Sequence, residues 1–188
     1  MKRHLSTLMI VLMAAASLGA AAKRGSAMPR EQAMFGAGCF WGVEEAFRQV
    51  KGVTKTEVGF AGGTVPNPSY EQVWHKKTGH AEVVHLEFDP SQVTFDQLLD
   101  MLWKIHNPTT MNRQGPDVGS QYRSAIYYYT PEQKVAAEAS KNRLAKSGKF
   151  KNSVVTEVTE AGPFYRAEEY HQRYFEKNGG GQCHLPTP

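Results

Sequence analysis

Residues 36–42 read Gly36-Ala37-Gly38-Cys39-Phe40-Trp41-Gly42. Upstream, Ala33 to Ala37 is a short small-and-apolar run that predicts a strand. Downstream, Phe40, Val43, Phe47 and Val50 fall at i, i+3, i+7 and i+10, the spacing of an amphipathic helix. Gly52 is placed to close that helix. Cys39 therefore sits where a strand turns into a helix. Unpaired backbone N–H groups and the positive end of the helix dipole favour a thiolate there. Glu44 and Glu45, one turn further in, oppose that shift. A small buried hydrophobe is the bland alternative for the same residue. Four roles are open to Cys39: a lipid anchor, half of a disulfide, a metal ligand or a nucleophile.

The chain has 188 residues, 40% of them hydrophobic and 21% charged, which describes one soluble globular domain. The net charge of +4 is modest and its basic residues are scattered, so nucleic acid is not an indicated partner. The first residues differ. Lys2 and Arg3 precede an apolar run from Leu8 to Ala16, and Ala20-Ala21-Ala22 supplies a small-residue cleavage site. Residues 1–22 read as a secretory signal peptide and residues 23–188 as the mature protein, placed in the periplasm or outside the cell. An uncleaved anchor is the alternative, but a span needs roughly 20 apolar residues, and Ser6, Thr7 and Ser17 interrupt this run. After cleavage no stable membrane contact is expected. Ala37-Gly38-Cys39 imitates a lipoprotein signal. Yet it stands far beyond the apolar run, with Lys23, Arg24, Arg30 and Glu31 between, so the anchor role falls away.

Further strands are predicted at Val53–Ala61, His80–Phe88, Ser124–Tyr129 and Val154–Val158. Helices are predicted at Phe95–His106, capped by Thr94, at Pro131–Ser147, and at Ala167–Lys177. Asn107 to Gln121 is a long polar loop of the kind that carries function. Helices and strands alternate without doubly wound spacing, and no G-x-G-x-x-G follows a strand. In the strand from His80, residue alternation puts Glu82 on one face with Val84, Leu86 and Phe88. If that face points inward, Glu82 is desolvated and suited to donate a proton. At the strand end it would instead reach water.

Cys183 is the second cysteine. In an exported chain two cysteines form a structural bridge by default. But Cys183 follows Gly179-Gly180-Gly181, and residues 178–188 have the composition of a flexible tail, suited to carrying a thiol to Cys39 transiently. With no C-x-x-C or H-x-x-x-H, the metal reading is weak.

Read together, these segments resemble the A-type peptide methionine sulfoxide reductases. The likeness begins at Gly38-Cys39-Phe40-Trp41-Gly42. It continues through Gly59-Phe60-Ala61-Gly62-Gly63, Asn67-Pro68-Ser69-Tyr70 and Thr78-Gly79-His80-Ala81-Glu82. It runs on through His106-Asn107-Pro108-Thr109-Thr110 and Asn112 to Ser124, and closes with Ala167-Glu168-Glu169-Tyr170-His171-Gln172. The resemblance implies an α+β fold, a two-layer sandwich with a small mixed sheet flanked by helices and a ferredoxin-like core. It implies reduction of the S epimer of methionine sulfoxide, free or in proteins, without metal or organic cofactor. Cys39 matches the nucleophile, Glu82 the proton donor, Tyr70 and Tyr122 phenols on the sulfoxide oxygen, and Asp117 an acid beside them. Phe40 and Trp41 match the methyl pocket. Cys183 matches a resolving cysteine whose disulfide a thioredoxin-like protein reduces. Three positions depart from the family pattern: Asn107 for aspartate, Phe60 for tyrosine and Trp74 for cysteine.

Overall fold

A computed structural model describes residues 29–75 and 77–181. The predicted leader at 1–22 and Cys183 lie outside these described residues.

The chain runs β1 (Glu31–Ala37), α1 (Phe40–Arg48), β2 (Val53–Ala61), α2 (Tyr70–His75), β3 (Ala81–Phe88) and α3 (Phe95–Ile105). It continues β4 (Arg113–Gln114), β5 (Asp117–Val118), a 3-10 turn at Ser120–Tyr122, β6 (Ser124–Tyr128), α4 (Pro131–Lys146), β7 (Glu157–Glu160), β8 (Tyr165–Arg166) and α5 (Tyr174–Lys177). Six strands form one mixed sheet in the order β7-β6-β1-β3-β2-β8, and β4 and β5 form a separate hairpin. The inner four strands, β6-β1-β3-β2, are joined as β1-α1-β2 and β3-α3-β6, and each neighbour is antiparallel. That is the split βαβ arrangement of a ferredoxin-like core. Only β7 joins in parallel, alongside β6.

Strand alternation sorts the core onto two faces. Ala33, Phe35, Val84, Leu86 and Phe88 pack with Val43, Phe47, Leu98, Leu99 and Leu102 under α1 and α3. Phe35 stacks on Phe47 and Phe95, with centroids 5.2 and 6.0 Å apart. Met34, Ala81, Val83, Ala125 and Tyr127 form the opposite face, where Ala161 and Phe164 cover them.

Most predicted elements stand within a residue or two of their observed ends. Thr94 caps α3 through a reciprocal capping box with Gln97. Helix α1 stops at Arg48, short of the predicted Val50. The segment 167–177 departs most: only Tyr174–Lys177 is helical. Its side chains are spent on distant elements instead: Glu168 on α2, His171 on α1 and Gln172 on β2. The Gln172 amide donates to Val58 O and accepts from Val58 N, both at 2.9 Å, and Arg173 enters the left-handed region at φ 50°.

His106 ends α3 wholly buried. Its Nδ1 lies 2.7 Å from the Leu102 carbonyl, so Nδ1 carries the proton. Nε2 then accepts from Ser124 Oγ at 2.7 Å, and Ser124 Oγ is 2.7 Å from Thr156 Oγ1. Burial pushes the imidazole down to about 4, opposed by the Leu102 carbonyl. An unfolded histidine titrates near 6.5. Between those values the unfolded chain holds a proton that the folded chain does not, so stability falls as pH drops through that window. The loss from this residue reaches about 3 kcal/mol. Urea midpoints at pH 7 and pH 4.5 check it: His106→Gln should show a visibly smaller acid loss than wild type, and an equal loss would refute this origin.

Candidate active site

The site is built at the start of α1. Gly38 turns the chain from β1 with φ +93°, a region that glycine enters without strain. A Cβ there would stand 2.6 Å from Gln114 Cγ, so Gly38 also admits the β4–β5 hairpin. Gln114 is fastened by two bonds to the Asn107 backbone: Asn107 N–H donates to its Oε1 at 3.1 Å, and its Nε2 donates to Asn107 O at 3.2 Å. Asn107 Oδ1 accepts from the N–H and hydroxyl of Thr109 at 2.9 and 2.7 Å. An aspartate would accept the same pair, so the asparagine keeps this turn intact.

Cys39 is the N-cap residue of α1 and is half-buried. The Phe40 N–H, one of the unsatisfied donors of the helix start, is taken by Glu82 Oε2 at 3.1 Å. Glu82 is 2% exposed. It points to the helix-covered face, as alternation along β3 predicts. One helix terminus thus gathers a carboxyl group from β3 beside the cysteine. Phe60 is the cross-strand partner of Glu82, and its ring lies 5.9 Å from that of Phe40. The departure from tyrosine therefore falls next to the carboxyl, where it presents only hydrocarbon.

The two glutamates of α1 do not act as bare charges near Cys39. Glu45 is paired with Arg48 at 2.6 Å, which lowers its carboxyl. Glu44 is buried, which raises its carboxyl, and it accepts from Thr56 Oγ1 at 2.9 Å and Arg173 N at 2.7 Å.

Two phenols complete the cluster. Tyr70 opens α2, with its N–H donating to Glu168 Oε1 at 3.0 Å. Burial, then the charges of Glu82, Cys39, Tyr170 and Asp117, push its hydroxyl up to about 12. Tyr122, at the end of the 3-10 turn, is raised further by burial and by Glu82, Tyr70, Asp117 and Cys39. Phenols so raised keep their protons at neutral pH and are available to donate them in hydrogen bonds. The charges of Glu82, Cys39 and Asp117 are felt at both phenols, which places them within electrostatic reach of Tyr70 and Tyr122.

Phe40 and Trp41 are both built into the aromatic cluster around Tyr70 and His171. The Phe40 ring stacks on Tyr70 at 6.3 Å. Trp41 is held from both sides. Its ring lies on Tyr174 at 3.8 Å and 6°, and its Nε1–H donates to His171 Nδ1 at 2.9 Å. Indole is only a donor, so Nδ1 accepts and the His171 proton sits on Nε2. That Nε2 and Glu168 Oε2 are buried without hydrogen-bond partners among the described residues. Burial lowers the imidazole, with Glu168 opposing, which keeps it neutral as the indole bond requires.

His171, Glu168 and Tyr174 carry no role in the sequence reading. His171 lies in the Glu-Tyr-His-Gln stretch, but its partner Trp41 is 130 residues away, beyond any local pattern. Among the described residues no cluster of three His, Cys, Asp or Glu could hold a metal.

A cleft of about 600 Å³ runs along α1 and α3, lined by Gly42, Ala46, Val50, Met101 and Ile105. Gly181, two residues before Cys183, lines it as well.

The sequence pattern of the family described as peptide methionine sulfoxide reductase matches residues 31–188. A peptide methionine sulfoxide reductase MsrA of Methanoculleus marisnigri is 61% identical over 153 residues, covering 81% of this chain and 93% of that protein. The MsrA of Geobacter metallireducens is 53% identical over 153 residues, covering 81% and 94%. Among solved structures, the reduced form of Mxr1 from Saccharomyces cerevisiae superposes with a TM-score of 0.76 at 33% identity, covering 82% of this chain and 89% of that one. Methionine sulfoxide reductase A of Corynebacterium diphtheriae gives 0.71 at 38% identity, covering 84% of each. The chain belongs to the peptide methionine sulfoxide reductase family.

Proposed function

We propose that Cys39, Glu82, Tyr70, Tyr122 and Asp117 are the chemical machinery by which this reductase returns the S epimer of methionine sulfoxide to methionine. The observation that carries the reading is the convergence of Glu82 and Cys39 on one helix terminus, with two raised phenols beside them. A sulfoxide sulfur is a poor electrophile until its oxygen is protonated or hydrogen-bonded. Phe40 and Trp41 hold the methyl group, and Tyr70 and Tyr122 donate to the oxygen. The Cys39 thiolate attacks the sulfur while Glu82 delivers a proton to the oxygen. The oxygen ends on Cys39, so the sulfoxide is reduced to the thioether and the thiol is oxidised to a sulfenic acid.

Cys183 then attacks the sulfenic sulfur, forming a disulfide and releasing water. A thioredoxin-like dithiol exchanges with that disulfide and restores both thiols. Support for Cys183 is positional: Gly181 and Gly42 line one cleft, and Gly42 is three residues from Cys39. Export of residues 23–188 is also proposed. The family match starts at residue 31, downstream of the apolar leader, which leaves that leader outside the catalytic domain.

Mass spectrometry after exposure to an S-sulfoxide peptide without reductant tests the sequence of steps. Wild type should release about one methionine per enzyme and carry a Cys39–Cys183 disulfide. Cys183→Ser should release the same single methionine, stop as the sulfenic acid, resist recycling by thioredoxin, and melt at the wild-type temperature. A markedly lower melting temperature for Cys183→Ser would make the bridge structural instead. No methionine from wild type would end the reading.

A further inference from the structure

We propose that Trp74 and Tyr170 form an apolar rim that grips the residues flanking the oxidised methionine, so that the enzyme favours sulfoxides set among apolar side chains. This rests on the reductase reading above and adds a specificity to it.

Large apolar side chains left in water are ordinary when scattered, and informative when they adjoin a cleft. Trp74 is 56% exposed and Tyr170 59% exposed. Neither is isolated. Trp74 stands four residues after Tyr70 on α2, and its ring is stacked on Tyr70 with centroids 6.4 Å apart and planes at 19°. The Tyr70 ring meets His171 at 4.3 Å, and His171 meets Tyr170 at 4.1 Å. Four rings thus run from solvent, through Tyr70, and out to solvent again. The fold does not need the outer two. Val73 is the buried residue of α2, while Trp74 points away. Val118, 67% exposed, adds a third apolar group beside Asp117.

The occupant follows from the spacing. A methionine side chain placed against Phe40 and Tyr70 brings its own backbone to the rim. Neighbouring Cα atoms lie about 3.8 Å apart, so the adjacent residues fall within one ring-to-ring step of the centre. Methionine is most often buried among apolar residues. A segment whose methionine has been oxidised and exposed therefore offers apolar flanks, which Trp74 and Tyr170 can cover. Aromatic faces of this kind hold apolar side chains of varied shape and gain nothing from glycine, which has no side chain to cover.

The test uses two peptides, each with one methionine S-sulfoxide, flanked by leucine and phenylalanine in one and by glycine in the other. Wild type should have the higher kcat/KM on the apolar peptide. In Trp74→Ala and in Trp74→Ala/Tyr170→Ala the ratio of the two values should fall by about three- to tenfold, as expected for loss of one or two aromatic contacts. Trp74→Phe should restore most of the ratio. An unchanged ratio in the variants, or an equal loss on both peptides, overturns the rim while leaving the reductase reading in place. A wild type inactive on both peptides overturns the two together.

Discussion

Replacing Cys39 by serine should abolish turnover, lowering kcat/KM for an S-sulfoxide peptide by about 10⁴-fold or more. A serine hydroxyl does not ionise near neutral pH, and it cannot pass oxygen on as a sulfenic acid does. The fold should survive. The helix start is secured by the Phe40 N–H to Glu82 bond and by Gly38 over Gln114, and neither uses the thiol. A variant with the wild-type melting curve and no methionine produced, by chromatography of the peptide, is the expected result. Retained turnover above about a hundredth of wild type would remove Cys39 from the chemistry.

Glu82→Gln should be the second largest effect, lowering kcat by about 10² to 10⁴. The amide oxygen of glutamine still accepts the Phe40 N–H, so the helix terminus stays capped and the buried donor stays paired. What is lost is the transferable proton. Alanine would confuse the result, since it leaves a buried N–H unsatisfied at a cost of about 1–3 kcal/mol. Single-turnover kinetics in excess enzyme isolate the sulfoxide step from recycling. A loss of less than about tenfold would show that Tyr70 and Tyr122 alone activate the oxygen.

Cys39 and Glu82 are legible in the local pattern because they sit on regular elements, whereas Tyr70, Tyr122 and Asp117 lie on short ones and enter only through the family resemblance. Helical spacing after Cys39 marks α1, and period two along β3 aims Glu82 inward beside Val84, Leu86 and Phe88. Both depend on burial patterns repeated over several residues. The short elements carry no such pattern. Helix α2 has six residues and buries Val73 alone, and β8 has two residues. The segment 167–177 misleads for a different reason. Its composition suits a helix, but Glu168, His171 and Gln172 spend their hydrogen bonds on residues 98 to 130 positions away. Contacts at that range, to Tyr70 on α2, Trp41 on α1 and Val58 on β2, belong to the assembled fold, and nothing within the segment announces them. The support of Trp41 by His171 and Tyr174 is hidden in the same way.

The Gln172 amide has a consequence beyond holding the chain end in place. It saturates the N–H and C=O of Val58 on the outer side of β2, next to the two residues that β8 covers. Lys55, Glu57 and Arg166 set a ladder of ion pairs along that margin. An enzyme that handles unfolded, damaged chains meets molecules searching for a strand to pair with, and a bare sheet edge would recruit them into a growing aggregate. Here the Ala167 N–H, 3.0 Å from Val58 O, and the Gln172 amide together extend the cover that β8 begins, so this margin of β2 offers fewer open backbone groups to a client chain.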